Sequence, residues 1–268
     1  MKRLLVGTRL GRAAMSLRGW TDRIVTIVRE PETVGATVND YLAAHLLVRL
    51  CADRCSFVDV GAHIGSVVAE VQFHCPGAEI LAVEAVPWKI AHLKKKFPGI
   101  AVVGTALGDR RGEATFYVVE GKNSGFSSLG RPAAQGRLLE LRVPICRLDD
   151  IVDDRKVDVI KIDVEGAELG VLKGSECVVT DCRPTIIFES GPQLDEALGY
   201  SKQDLWQWFA DRSYAVLIPD RVPHEDPGLG LESFLDSHLY PWRTRNYFAI
   251  AKERRGEIRN KAQRILNP

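Results

Sequence analysis

The run Phe57-Val58-Asp59-Val60-Gly61-Ala62-His63-Ile64-Gly65 constrains the fold of this 268-residue chain more than any other segment. A short apolar stretch leads into Asp-x-Gly-x-x-x-Gly, and residues 67–73 continue with helical spacing. The pattern predicts a buried strand, a tight glycine turn and a helix N-terminus. This is how an α/β sheet offers a ligand site at the carboxyl edge of its strands. Dinucleotide sites of this layout use Gly-x-Gly-x-x-Gly, so that backbone approaches a pyrophosphate with no acid beside it. Here Asp59 replaces the first glycine of that pattern. A carboxylate repels phosphate and suits a cation.

The remaining sequence alternates strand and helix signals. Apolar runs predict strands at residues 56–60, 79–83, 100–105, 157–164, 184–188, 214–218 and 246–251. Helical spacing covers residues 37–52, 65–74, 87–97 and 201–211, the first with a capping box from Thr37 to Asp40. Such alternation predicts a seven-stranded, mostly parallel sheet with helices on both faces. Residues 114–119 and 139–145 alternate like an inserted antiparallel hairpin around a polar, glycine-rich loop at 121–136. A loop of that length is usually functional or disordered. The expected organisation is a helical extension at 1–54 packing on the core, one α/β domain at 55–251 and a basic tail at 252–268 that ends as a solvated helix.

Composition narrows the function class. A formal net charge of +1 gives no global field to attract nucleic acid. Six cysteines lack any Cys-x-x-Cys pair, which fits buried free thiols in a reduced, cytoplasmic setting. Lys2, Arg3, Arg9, Arg12 and Arg18 make residues 1–20 basic, without the apolar core of a signal peptide or membrane span. A poorly ordered or surface-packed extension is the preferred reading there, and peripheral contact with an anionic membrane or a transit-like leader are the less favoured ones.

Glu84 ends the second predicted strand, about twenty residues beyond the glycine turn, where an acid accepts the ribose hydroxyls of an adenosine ligand. S-adenosylmethionine combines an adenosine with a sulfonium and an ammonium, and its carboxylate suits a helix N-terminus. The expected cofactor contacts are Asp59, Gly61, Ala62, His63, Gly65, Glu84 and Ala85, with Ala106 and Leu107 on the adenine face. Lys161-Ile162-Asp163-Val164-Glu165 ends the fourth strand, and Glu189 ends the fifth. Ending a buried strand in an acid is costly unless the acid is bound. Lys161 is the simplest partner for Asp163, and Asp163 should meet Glu189 at one sheet edge. The pair either supplies a general base for a hydroxyl or holds a divalent cation such as magnesium that acidifies it. His63 is a further base candidate. Glu165 reads as a helix-start acid and Glu168 as a solvated acid of the first helical turn.

Together these segments resemble the FkbM family of S-adenosylmethionine-dependent methyltransferases. The resemblance rests on residues 57–65, 81–84, 105–112 (TALGDRRG), 123–129 (NSGFSSL), 143–150, 158–174 (DVIKIDVEGAELGVLKG) and 184–190. It implies a Rossmann-like class I methyltransferase fold and O-methylation, often of sugar hydroxyls in glycolipids, polysaccharides or secondary metabolites. It also implies that Asp59, Gly61, Gly65 and Glu84 bind the cofactor. Asp163 and Glu165 lie at the catalytic edge by the same resemblance, with Ser127 and Ser128 in the loop covering it. Two positions depart from the family pattern, His63 where asparagine is commoner and Ala85 where proline often follows the acid.

The leading expectation is an O-methyltransferase acting on a small-molecule or glycan hydroxyl. Asp163 is the first choice for the base, assisted by Glu165 or Glu189. For Trp206, Trp208 and Trp242 core packing of at least two of the three is the preferred reading, and a sugar-stacking surface the less favoured one. The alternatives are a nicotinamide-dependent oxidoreductase, disfavoured by Asp59, and a non-catalytic, membrane-associated binding module. Oligomeric state is left unspecified.

Overall fold

A computed structural model describes every residue except 1–5, 9–10, 12–18, 20, 22–23, 53, 120–126, 132–136, 154, 192–197 and 268. Most of the basic segment at 1–20 and most of the long loop therefore lie outside the described residues.

Strands β1 (Ser56–Val60), β2 (Glu79–Glu84) and β3 (Ala101–Gly104) run outward on one side of the main sheet. On the other side lie β7 (Val159–Ile162), β8 (Thr185–Glu189), β10 (Asn246–Ala251) and β9 (Tyr214–Leu217). The order is β3-β2-β1-β7-β8-β10-β9, parallel throughout except for β10, which is antiparallel to both neighbours. Strand order reverses between β1 and β7, so the ligand crevice of such a sheet falls at their carboxyl ends. The insertion forms its own sheet, β4 (Ala106–Leu107), β6 (Leu138–Cys146) and β5 (Gly112–Val119), with β5 and β6 antiparallel as the alternation predicts.

The two-residue period of a strand sorts the core into two faces. Phe57, Ala82, Val159, Ile187 and Phe248 pack on one face, while Val58, Val83, Ile160, Phe188 and Tyr247 pack on the other. Asp59 and Lys161 share the first face and are register partners across β1 and β7. The last pair between β7 and β8 is Ile162 with Phe188. One further residue along each chain sets Asp163 beside Glu189.

Two expectations at the periphery need correction. Helix α1 runs Val34–Leu50, and Thr37 sits inside it, its hydroxyl donating to the Thr33 carbonyl at 3.4 Å rather than closing a capping box. Asp40 instead accepts from Thr244 Oγ1, Arg245 N and Asn246 Nδ2 at 3.0 to 3.1 Å, tying α1 to the start of β10. The chain end is likewise no solvated tail. Helix α9 (Arg255–Leu266) buries Ile258 and Ala262 in the same cluster as Leu46, Leu50 and Phe57. Its polar face is basic, but its apolar face is core. Among the described residues no helix is long and apolar enough to cross a membrane.

Candidate active site

A cleft of about 300 Å³ opens at the carboxyl ends of β1, β2 and β7. Asp59, Gly61, Ala62, His63, Glu84, Ala85, Ala106, Leu107, Asp163, Glu165 and Glu189 all line it. Of the expected contacts only Gly65 does not. It caps helix α2 (Ser66–His74) with a φ of 78°, and Leu93 and Phe97 leave no room for a side chain there.

Gly61 N and Ala62 N both donate to the Val83 carbonyl at 3.0 Å, closing the turn against β2. Glu84 accepts from His63 N through one carboxylate oxygen at 2.8 Å and from Val86 N through the other at 2.9 Å. Each oxygen keeps lone-pair capacity for a further donor. Burial pushes Glu84 above the usual carboxylate range, against the pull of Lys89 and those amides.

Asp59 is different. It is 1% exposed, and neither oxygen has a hydrogen-bond partner among the described residues. The Lys161 ammonium lies 3.9 Å away. Burial raises the Asp59 carboxyl to about 6 despite that cation.

Lys161 Nζ instead sits 2.7 Å from Asp163 Oδ2, as expected from their spacing. Burial alone would depress this lysine, but Asp163 and Asp59 hold it above its ordinary value. Burial likewise opposes ionisation of Asp163, yet Lys161 and a hydrogen bond with Glu189 keep that carboxyl below its usual value. Glu189 is pushed up to about 10 by burial and by the Asp163 charge, so it is the protonated member of the pair. Glu165 rises to about 7 for the same two reasons. One carboxylate oxygen from each of Asp163, Glu165 and Glu189 lies within 4.8 Å of the others.

Glu165 does not start a helix. It occupies a turn with φ 54°, and helix α5 begins only at Glu168 (Glu168–Lys173). Glu168 is not solvated either. At 3% exposed, it accepts from Val164 N and Gly166 N at 3.2 and 3.3 Å, and burial lifts its carboxyl to about 8. The signal was present in Glu-Gly-Ala-Glu: an acid at a helix start reaches back to unpaired amides of the preceding turn. Lys89, 4% exposed in the first turn of helix α3 (Pro87–Lys96), also lines the cleft and was not anticipated. Nor were Thr105, Phe116 and Leu129, which bring the insertion to the cleft wall. The three tryptophans are elsewhere. Trp208 is core, Trp206 donates to the Leu229 carbonyl, and Trp242 meets Tyr240 edge-on, so none lines this cleft.

The lining holds five acids (Asp59, Glu84, Asp163, Glu165 and Glu189) against two lysines (Lys89 and Lys161). Such a site favours a cationic guest and disfavours a pyrophosphate.

Residues 59–216, more than half of the chain, match the family model described as the methyltransferase FkbM domain. No curated protein matches the sequence significantly. Among solved structures, methyltransferase FkbM from Methylobacillus flagellatus KT is similar at 19% identity and a TM-score of 0.45. The match covers 74% of this chain and 44% of that one, so this chain spans less than half the length of that relative. A TehB-like SAM-dependent methyltransferase from Corynebacterium glutamicum matches at 11% identity and a TM-score of 0.42, over 78% of this chain and 85% of that one. Aeropyrum pernix fibrillarin, solved with natively bound S-adenosyl-L-methionine, matches at 13% identity and a TM-score of 0.42, over 78% and 74%.

Proposed function

Because the chain belongs to the FkbM methyltransferase family, we propose that its cleft binds S-adenosylmethionine and that the protein methylates a hydroxyl group of a small molecule or glycan. The buried Asp59 carboxylate, unmatched by any hydrogen-bond donor among the described residues, carries this reading. An acid so placed is costly to the fold unless a ligand meets it. The ammonium of the cofactor suits it, and the two Glu84 oxygens suit ribose hydroxyls. Ala106 and Leu107 supply an apolar wall for adenine. When bound, S-adenosylmethionine supplies an electrophilic methyl carbon.

The protein's own task is then to hold an acceptor hydroxyl in line and remove its proton. Asp163 is a weak base, because Lys161 and Glu189 already stabilise its ionised form. Glu165, raised to about 7, has the better-matched affinity for a proton near neutrality. Glu165 is therefore the base in this reading. Asp163 orients through Lys161, and Glu189 keeps the neighbouring proton.

A divalent cation is the second reading, favoured by the three converging carboxylates. An oxygen-only set suits magnesium. Lys161 weighs against it, since its ammonium already neutralises Asp163.

Transfer of labelled methyl from S-adenosylmethionine into small molecules of a cell extract tests both. The expected rate rises as pH passes about 7, and Glu165→Gln lowers it by about 10²–10⁴-fold with S-adenosylhomocysteine affinity retained. An undiminished rate removes Glu165 as the base. Loss on chelation, restored by magnesium, establishes the metal version. Thermal stabilisation by NAD and not by S-adenosylhomocysteine overturns the whole assignment.

A further inference from the structure

The turn that carries Asp163 and Glu165 is held by partners on opposite sides. Its amides, Val164 N and Gly166 N, are bound by the buried Glu168 carboxylate. Its carbonyls are bound from a different part of the chain. Ser128 Oγ lies 2.6 Å from the Glu165 carbonyl and 3.1 Å from that of Val164, and it accepts from Gly130 N at 3.2 Å. A hydroxyl has one proton and two lone pairs. Directed at the Glu165 carbonyl, with Val164 sharing it, that proton is fully used.

Ser128 is 2% exposed and is itself anchored to the insertion hairpin. Ser128 N donates to the Tyr117 carbonyl at 3.0 Å, and Tyr117 N donates to the Ser128 carbonyl at 2.8 Å. The neighbouring Ser127 and Leu129 line the cleft. A single side chain thus joins the hairpin wall to the backbone of the carboxylate turn.

We infer that Ser128 is a positioning residue, whose hydroxyl holds the strained Glu165 backbone so that the Glu165 carboxylate stays in the cleft beside Asp163 and Glu189. The strain is specific. Glu165 and Gly166 have φ values of 54° and 95°, and only glycine adopts such angles without penalty. A left-handed glutamate persists where its surroundings over-determine it. Glu168 fixes the amides on either side of Glu165, and Ser128 fixes the carbonyl of Glu165 itself. Without the hydroxyl, the 164–165 peptides lose their tie to the hairpin, and Glu165 is free to turn outward to water.

This inference rests on the assignment of Glu165 to the reaction, but its test does not require turnover. The probe is the carbon-13 signal of the Glu165 carboxyl in glutamate-labelled full-length protein, assigned with Glu165→Gln and titrated by NMR. The groups that face this carboxyl are Asp163 of its own turn, Lys161 of β7, Glu189 of β8, Lys89 of α3 and Arg245 before β10. In Ser128→Ala the midpoint should fall by about one pH unit as the group gains water. Ser128→Thr, which keeps the hydroxyl, should restore it. Binding of S-adenosylhomocysteine should change less than about threefold in both, since Ser128 hydrogen-bonds neither Asp59 nor Glu84. If Ser128→Ala does not fold, Ser128→Cys, of similar size and a weak donor, takes its place with the same expected fall. An unchanged midpoint in the folded variant overturns the inference. Absence of S-adenosylhomocysteine binding in the wild-type protein overturns the proposed function and leaves the titration result standing.

Discussion

Gly61 and the carbonyl of Asp163 are packed so closely that a β-carbon at position 61 has no space. The glycine turn after β1 and the carboxylate turn after β7 are therefore one structural unit. Gly61 also has a φ of 83°, so a side chain there meets both a clash and an unfavourable backbone. Gly61→Ala should lower stability by about 1–3 kcal/mol or more. Denaturant unfolding measures the loss, and wild-type stability would show that the two turns separate freely.

Asp59 should make cofactor binding release protons. Its carboxyl is raised to about 6, and a bound cation favours the ionised form. Near pH 5.5 the empty site is mostly protonated and the filled one mostly ionised. Calorimetry of S-adenosylhomocysteine binding in buffers of different ionisation enthalpy should register that release, which fades above about pH 7. Asp59→Asn should abolish it and weaken binding by about 2–5 kcal/mol, roughly 30-fold at least. A proton count of zero in the wild type would contradict the contact.

Stability without ligand should decline as pH rises. Glu168 and Glu189 have folded values near 8 and 10 against an ordinary 4.5. Because the folded state binds these protons more tightly than the unfolded state, their contribution is fully present below about pH 4.5 and is lost as pH rises through the folded values. The thermal midpoint should fall from pH 5 to 9. Glu168→Gln keeps an acceptor for Val164 N and Gly166 N while removing the charge, and should flatten the slope. A midpoint rising over that range would contradict the burial of these acids in neutral form.

Helix α9 should behave as core. Ile258 is 3% exposed and packs with residues of α1 and the sheet. Ile258→Ala should cost about 2–5 kcal/mol. A loss below about 0.5 kcal/mol, typical of surface positions, would return this segment to the status of a tail.

Local pattern alone determined the strand, turn and helix order, because strand period, glycine turns and proline at a helix start act over a few residues. It also placed the acids at strand ends, and the regular register of a parallel sheet made the meeting of Asp163 and Glu189 foreseeable. Tertiary structure alone decided how each acid is solvated. Glu168 looks like a surface residue until α5 packs it under the turn, and Glu189 looks like an ordinary strand-end acid until burial beside Asp163 raises its proton affinity. The Ser128 tie joins residues 36 and 37 positions apart, and the α9 contacts join α1 to the far end of the chain. Proton affinity and long-range packing depend on which distant groups share a volume, and that is set only once the sheet has closed around them.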